Sequence, residues 1–344
     1  MSFKQYGIFA ATRTHKRLFQ PTDDPHVFTL HIDNSSMELF TTCPRQAEYK
    51  LVFGRTYSDR AALSYGSAMH LALEHISKGG TETEAIGILH THFVNNPVDD
   101  FEWRNYAFAV EALRQYLLQW GDAMKPFNGD INNVEIGFDV PLDVRPDAHY
   151  LEIPIDAFFA YPKSVLVEGS DDTTPMFYVK KLLVRWTGRI DLVTKVDGKV
   201  WIVDRKTSSM GGSTFWNHFY LSAQMRGYIY AAKHVVKAPV EGLIVDALFG
   251  RKPTRTGVAH EYQRARYIYT QDSLDEWLVD MVQHIEFFVT RLVRGLFPQS
   301  TQWCTGKYQC KYHDVCKLPP TMRTDYLMSS VYEENTWDPN LPRV

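Results

Sequence analysis

The chain has 344 residues, 44% hydrophobic and 22% charged, with a formal net charge of −3. That composition excludes a disordered chain, and the 20 glycines and 17 prolines follow no collagen-like period. A chain of this length can bury about three quarters of its unfolded surface, and its charge gives no global basic field for nucleic acid. No apolar run approaches the ~20 residues that span a bilayer. The N-terminal MSFKQYGIFAATRTHKRLF is interrupted by basic residues, so a cytoplasmic chain that is neither secreted nor membrane-bound is expected.

Residues 1–33 read as an extension, with a short strand expected at 27–32 (VFTLHI). A first helix is expected from Ser35 or Ser36, either of which can cap it, with Glu38 as a capping-box partner for Ser35. Further helices fit 64–77, 82–93 and 103–123. The period then changes to two in VEIGFDVPLDV (134–144), the mark of a half-buried strand, and a second such run covers 150–160. Residues 161–176 read as an inserted loop. Strands are expected at 177–195 and 199–205, a helix at 214–235, strands at 241–249 and 266–270, and a long helix at 273–294. This order predicts an α/β fold with a mixed sheet.

The segment WTGRIDLVTKVDGKVWIVDRKTSS (186–209) is the most informative. Asp197-Gly198 between two β-rich runs marks a two-residue hairpin turn. Its register pairs Val196 with Lys199 and, by extension, sets Asp191 opposite Asp204, with Lys206 on the face of Asp204. Apolar flanks on both faces make this hairpin central. Two buried carboxylates facing each other need a cation, which a hard divalent metal supplies, or Lys206 or Arg189 alone.

The Gly-Arg-Ile-Asp strand and the Asp-x-Lys-Thr strand resemble those of the RecB-like branch of the PD-(D/E)XK nuclease superfamily. Five further segments fit in order: SSMELFTTCPRQAEY (35–49), YGSAMH (65–70) as a Gly-x-x-x-His helix, VEIGF (134–138), QMRGY (224–228) and CTGKYQCKYHDVC (304–316). The resemblance covers about residues 35–317. It implies a restriction-endonuclease-like core: a mixed central sheet flanked by helices, an N-terminal helical region (about 35–125), a catalytic sheet (about 133–250) and a cysteine segment (303–317) within one domain, 34–318, before a tail at 319–344. It further implies that Asp191, Asp204, the backbone carbonyl of Arg205 and His70 hold a catalytic Mg²⁺ or Mn²⁺, with Glu135 as an additional candidate. Lys206 would orient or help deprotonate the attacking water. Gln224 and Tyr228, one turn apart on a helix, would hold the lysine or touch DNA.

Cys43, Cys304, Cys310 and Cys316 are all the cysteines of the chain. Four thiolates suit an iron–sulfur cluster or a structural zinc, and free buried thiols are the plain alternative. The resemblance points to a 4Fe–4S cluster stapling the two ends of the domain, although five residues here separate Cys304 from Cys310 where the familiar pattern has two. The stretch 251–266 carries Arg251, Lys252, Arg255, Arg264 and Arg266 with Tyr262 among them, a candidate DNA patch in which the aromatic could stack a base. The expected function is a metal-dependent DNA exonuclease acting on single strands or ends in phage or bacterial recombination, repair or processing. The alternatives are a structure-selective endonuclease or a non-catalytic DNA-binding member. No GxxxxGK[ST] loop occurs in the sequence, so ATP-driven unwinding would come from a helicase or recombination protein in trans.

Overall fold

The computed structural model describes residues 18–57, 60–99, 102–121, 124–142, 151–160, 176–254, 257, 259–304, 310–329 and 331–334. The inserted loop expected at 161–176 lies outside them up to residue 175, as does Arg255. The chain divides into two compact units, residues 1–58, 139–187 and 275–338, and residues 59–138, 188–274 and 339–344. Both are α/β, and the sheet pairings are mixed.

In the first unit, β1 (Phe19–Pro21) pairs antiparallel with β2 (Val27–Ile32). β2 runs parallel to residues 181–186 of the long strand β6 (Met176–Val196), and β5 (Leu151–Ala160) pairs antiparallel with β6. The first helix, α1 (Asn34–Thr42), is capped by neither serine proposed from sequence. Asp33 caps it, accepting from the Ser36 backbone N–H at 2.7 Å, which moves the cap two or three residues earlier. Its Phe40 stacks on Phe288, ring centroids 4.0 Å apart. Phe288 belongs to α8 (Gln271–Arg294). The short helix α2 (Pro44–Ala47) and the short strand β3 (Arg55–Thr56) follow α1, and a separate apolar cluster gathers Tyr49, Tyr312, Val315, Leu327 and Tyr332.

In the second unit, the C-terminal part of β6 pairs with β7 (Lys199–Ser208), β7 runs parallel to β8 (Val240–Gly250), and β8 is antiparallel to β9 (His260–Tyr267). The strand expected at 266–270 therefore begins earlier. Tyr262, read as a base-stacking aromatic, is instead buried and donates its hydroxyl to the Ala112 carbonyl at 2.7 Å. Three helices, α3 (Arg60–Ser77), α4 (Glu82–Asn95) and α5 (Tyr106–Trp120), share one apolar cluster with Leu248 and Tyr262 of the sheet. A reciprocal capping box between Thr81 and Glu84 opens α4. Asn105 and Gly121 bound α5 inside the longer span expected. The single helix expected at 214–235 is two, α6 (Ser213–Tyr220) and α7 (Ala223–Val235), because the Ser222 hydroxyl caps a fresh N-terminus by accepting from Met225 N–H.

Candidate active site

The hairpin turn is as the sequence requires. Asp197 and Gly198 both take left-handed conformations (φ 52° and 80°), as a twist-matched two-residue turn demands. The register runs from Val196↔Lys199 to Leu192↔Val203. The next pair would be Asp191 and Asp204, and here the ladder changes: one Asp191 carboxylate oxygen accepts from the Arg205 backbone N–H at 2.7 Å. A side chain thus replaces a backbone acceptor where the two acids emerge. Both are buried.

Asp191 and Asp204 are compensated differently. Lys206, two residues along the pleat, places its ammonium 3.0 and 2.8 Å from the two oxygens of Asp204. The same ammonium donates to Gln224 Oε1 at 3.0 Å, and the Gln224 amide donates to the Tyr228 hydroxyl at 3.0 Å. The turn of α7 therefore fixes Lys206, and sequence reasoning set Gln224 and Tyr228 beside it. Asp191 instead has His70 Nδ1 at 3.5 Å. α3 reaches that close because residue 66 is glycine: a Cβ there would lie 3.0 Å from Thr207 Oγ1 of β7. Gly66 and His70 are one helical turn apart.

Glu135 completes a second grouping. Ligand atoms of His70, Glu135 and Asp191 all lie within 4.8 Å of one another. Glu135 sits in β4 (Val134–Pro141) with φ 55°, a left-handed conformation that is costly for a non-glycine residue. Nothing in VEIGF announces that kink, so the sequence reading left Glu135 as an additional candidate, whereas its carboxylate is one of the three that converge. Arg189 lies 3.7 Å from Glu135, both largely buried. Two carboxylates and an imidazole are a donor set that accommodates a hard divalent cation. Asp204 stands outside this trio, held by Lys206. Gly188, at the start of the Gly-Arg-Ile-Asp strand, is needed because a Cβ would come within 2.5 Å of the Phe138 ring.

Sequence reasoning missed the Arg205 side chain. It is buried and donates to the Ser77 hydroxyl at 2.6 Å, at the end of the helix carrying His70. No local signal in Asp-Arg-Lys-Thr distinguishes an inward arginine. The proposed DNA patch separates into unlike parts. Arg264 donates to buried Asp246 at 3.0 Å and to the Tyr116 hydroxyl at 2.8 Å. Arg251 pairs with Glu261, and Arg266 with Asp197 at the hairpin turn. Lys252 is exposed.

The four cysteines all belong to the first unit. Cys43 ends α1, and Cys316 lies in α9 (His313–Lys317). The Gln46 amide donates to Cys310 Sγ at 2.9 Å, while the Gln46 backbone N–H bonds the Cys43 carbonyl at 2.9 Å. Burial pushes the Cys304 thiol pKa up, and the charges of Cys310 and Cys43 add to that. Burial likewise raises Cys316, opposed by hydrogen bonds from Gln299 and Tyr49 and reinforced by Cys310.

A mixed sheet bearing buried acids, an adjacent lysine and a helix-borne histidine defines a class of phosphodiester hydrolases. The chain matches the PD-(D/E)XK nuclease superfamily over residues 34–317 and belongs to it. Its fold is therefore the PD-(D/E)XK fold, and nucleases of this family act on DNA, typically with Mg²⁺ or Mn²⁺. A crystal structure from Eubacterium rectale named "Putative exonuclease" is similar at 12% sequence identity and a TM-score of 0.48, covering 87% of this chain and 94% of that one. The crystal structure of SSO0001 is similar at 10% identity and a TM-score of 0.28, covering 80% and 84%. No curated protein sequence matches the chain. Among the described residues, no helix is long and apolar enough to cross a membrane.

Proposed function

We propose that the chain is a metal-dependent DNA exonuclease of the RecB-like branch, acting on single strands or DNA ends. The observation that carries the hydrolytic part is the convergence of His70, Glu135 and Asp191 beside the Asp204–Lys206–Gln224 chain. His70, Glu135 and Asp191 would hold Mg²⁺ or Mn²⁺, joined by Asp204 and the Arg205 carbonyl. When bound, such a cation stabilises negative charge on a phosphoryl oxygen and lowers the pKa of a bound water. The protein's own groups do the rest. The Arg205 N–H keeps Asp191 in one orientation. Lys206, fixed between Asp204 and Gln224, presents its ammonium to the attacking water or to a phosphate oxygen. The end preference rests on the resemblance of the sequence motifs to RecB-like nucleases. Their context is DNA recombination and repair, where a helicase or recombination protein would supply unwound strands.

The same reading assigns Cys43, Cys304, Cys310 and Cys316 to a 4Fe–4S cluster, with structural zinc as the alternative. Its support is the resemblance of the cysteine segments and the Gln46 bridge between the Cys43 turn and Cys310. Protein purified without oxygen should be brown and absorb near 400 nm; a colourless protein with one zinc would replace cluster by zinc.

Linear and circular DNA, single- and double-stranded and end-labelled, incubated with Mg²⁺, Mn²⁺ or EDTA, test the activity. Cleavage of linear single strands that EDTA abolishes is expected. Absence of any EDTA-sensitive cleavage would sink the hydrolase reading. Cutting circles as fast as linear strands would replace exonuclease by endonuclease.

A further inference from the structure

A cavity of about 580 Å³ opens in the second unit at the turn end of the catalytic hairpin. It is lined by Trp120 at the end of α5, by Lys125 and Lys195, by Ile244 of β8 and by Arg264 and Arg266 of β9. Lys195 lies four residues along β6 from Asp191, about 13 Å at the rise of an extended strand. Asp204 and Lys206 project from β7 on the side opposite Val203, whereas Val203 and Ile244 share one apolar cluster. The cavity is therefore distinct from the acidic site in both position and charge.

Four of its lining side chains are cationic, and among the described residues none of the lining is acidic. Arg264 and Arg266 already have carboxylate partners, Asp246 and Asp197, so an anion entering the space meets the ammonium groups of Lys195 and Lys125 first. The wall is also held in place. Arg264 commits two of its five donors to Asp246 and Tyr116, and its guanidinium lies over the Trp120 ring at 4.0 Å. The Thr194 hydroxyl donates to the Lys125 carbonyl at 2.6 Å and ties that segment to the strand. The Trp120 indole N–H is buried with no hydrogen-bond partner among the described residues, a donor left over in that wall. Lys125 and Lys195 are exposed, as phosphate-gathering side chains at a mouth would be. The volume falls within the range of small-molecule sites, about 300–1,000 Å³, and exceeds what one inorganic phosphate fills.

We infer that this cavity binds a nucleoside phosphate, its phosphate gathered by Lys125, Lys195 and Arg266 and its base laid against Trp120 and Ile244. The ligand is either a free mononucleotide or the phosphorylated end of a strand, which offer the same chemistry. The site stands independently of the catalytic reading.

Titration calorimetry of the full chain in EDTA tests it, with deoxyadenosine 5′-monophosphate and a 5′-phosphorylated trinucleotide as probes, and deoxyadenosine and inorganic phosphate as controls. At least one phosphorylated probe should bind one to one, more weakly as salt rises. Lys195→Glu should weaken it tenfold or more, with circular dichroism unchanged because the residue is exposed. Asp191→Asn should leave it unaltered. Tighter binding of the trinucleotide assigns the site to a strand end, and tighter binding of the mononucleotide to a free nucleotide; each supports the inference. Failure of both phosphorylated probes at millimolar concentration overturns it. So does binding insensitive to Lys195→Glu, or a control that binds as tightly as the probes.

Discussion

The acidic site of the second unit and the cysteine set of the first are built on different principles. Asp191, Asp204 and Lys206 lie on one hairpin, and each of the three is hydrogen-bonded to another protein group: Arg205 N–H for Asp191, Lys206 for Asp204 and Gln224 for Lys206. The scaffold positions these groups before any cation arrives. Cys43 and Cys316 bracket most of the chain, and Gln46 is the side chain that donates to one of the sulfurs from the Cys43 turn. There a metal centre would belong to the folding free energy itself. One region should thus lose chemistry and keep its fold when a ligand is removed, and the other should lose its fold.

The largest effect is expected in the acidic site. Asp191→Asn should lower cleavage about a thousandfold, roughly 4 kcal/mol of transition-state stabilisation, and weaken Mn²⁺ binding measured by calorimetry. Lys206→Ala should lower cleavage as far while leaving Mn²⁺ binding and the melting temperature near wild type. Wild-type digestion by Lys206→Ala under Mg²⁺ would show that the assigned site is wrong. Melting of Lys206→Ala well below wild type would break the contrast with the cysteine set.

Cys43→Ser should come next, read on the fold. Iron and sulfide should be lost, and the melting temperature should fall as far as for Cys316→Ser, despite the distance in sequence. A clip closing so long a loop constrains the unfolded chain, though the gain rises only slowly with length. Full iron content and unchanged melting in Cys43→Ser would remove it from the set. The raised thiol pKa values of Cys304 and Cys316 add a pH signature. Thiols held protonated must release protons to bind a metal, so loading of the stripped protein should strengthen as pH rises from 7 to 9. Loading that does not change over that range would mean these thiols are not ligands.

Gln224→Ala should be milder. It frees Lys206 on one side while Asp204 still holds the other, so cleavage should drop about tenfold, near 1.4 kcal/mol, with metal binding unchanged. A loss as deep as that of Lys206→Ala would mean that Gln224 itself touches the reacting groups.

How much of this was legible in the sequence follows the same division. The hairpin could be read because its turn is local: Asp197-Gly198 fixes the register, and the register fixes which acids meet. Strand β2 and the buried strand β8 were legible from their apolar runs. What could not be read depends on partners far along the chain. Tyr262 and Arg264 look like a polar patch until Ala112, Tyr116 and Asp246 are placed against them. Glu135 looks like an outward strand residue because alternation assumes an extended backbone, and its left-handed kink breaks that assumption. The break before α7 was hidden because Tyr220 and Leu221 continue an apolar pattern, and a single hydroxyl at Ser222 ends it.

The two glutamines allow the finest comparison. Gln224 steadies a lysine in a site the protein has already built; Gln46 donates to a sulfur whose placement would depend on a metal centre. A hydrogen bond to a ligating sulfur stabilises the more negative, reduced state of a cluster and so raises its potential. Gln46→Leu removes that donor but no ligand, and the leucine fills similar space. Iron content should therefore stay near wild type, the midpoint potential should fall, and stability should change by only about 1 kcal/mol. Iron loss comparable to that of Cys43→Ser would make Gln46 part of the framework that positions the sulfurs. An unchanged potential with full iron would show that the amide does not face a ligating sulfur in the loaded protein, and the Gln46–Cys310 contact would cease to support a shared centre.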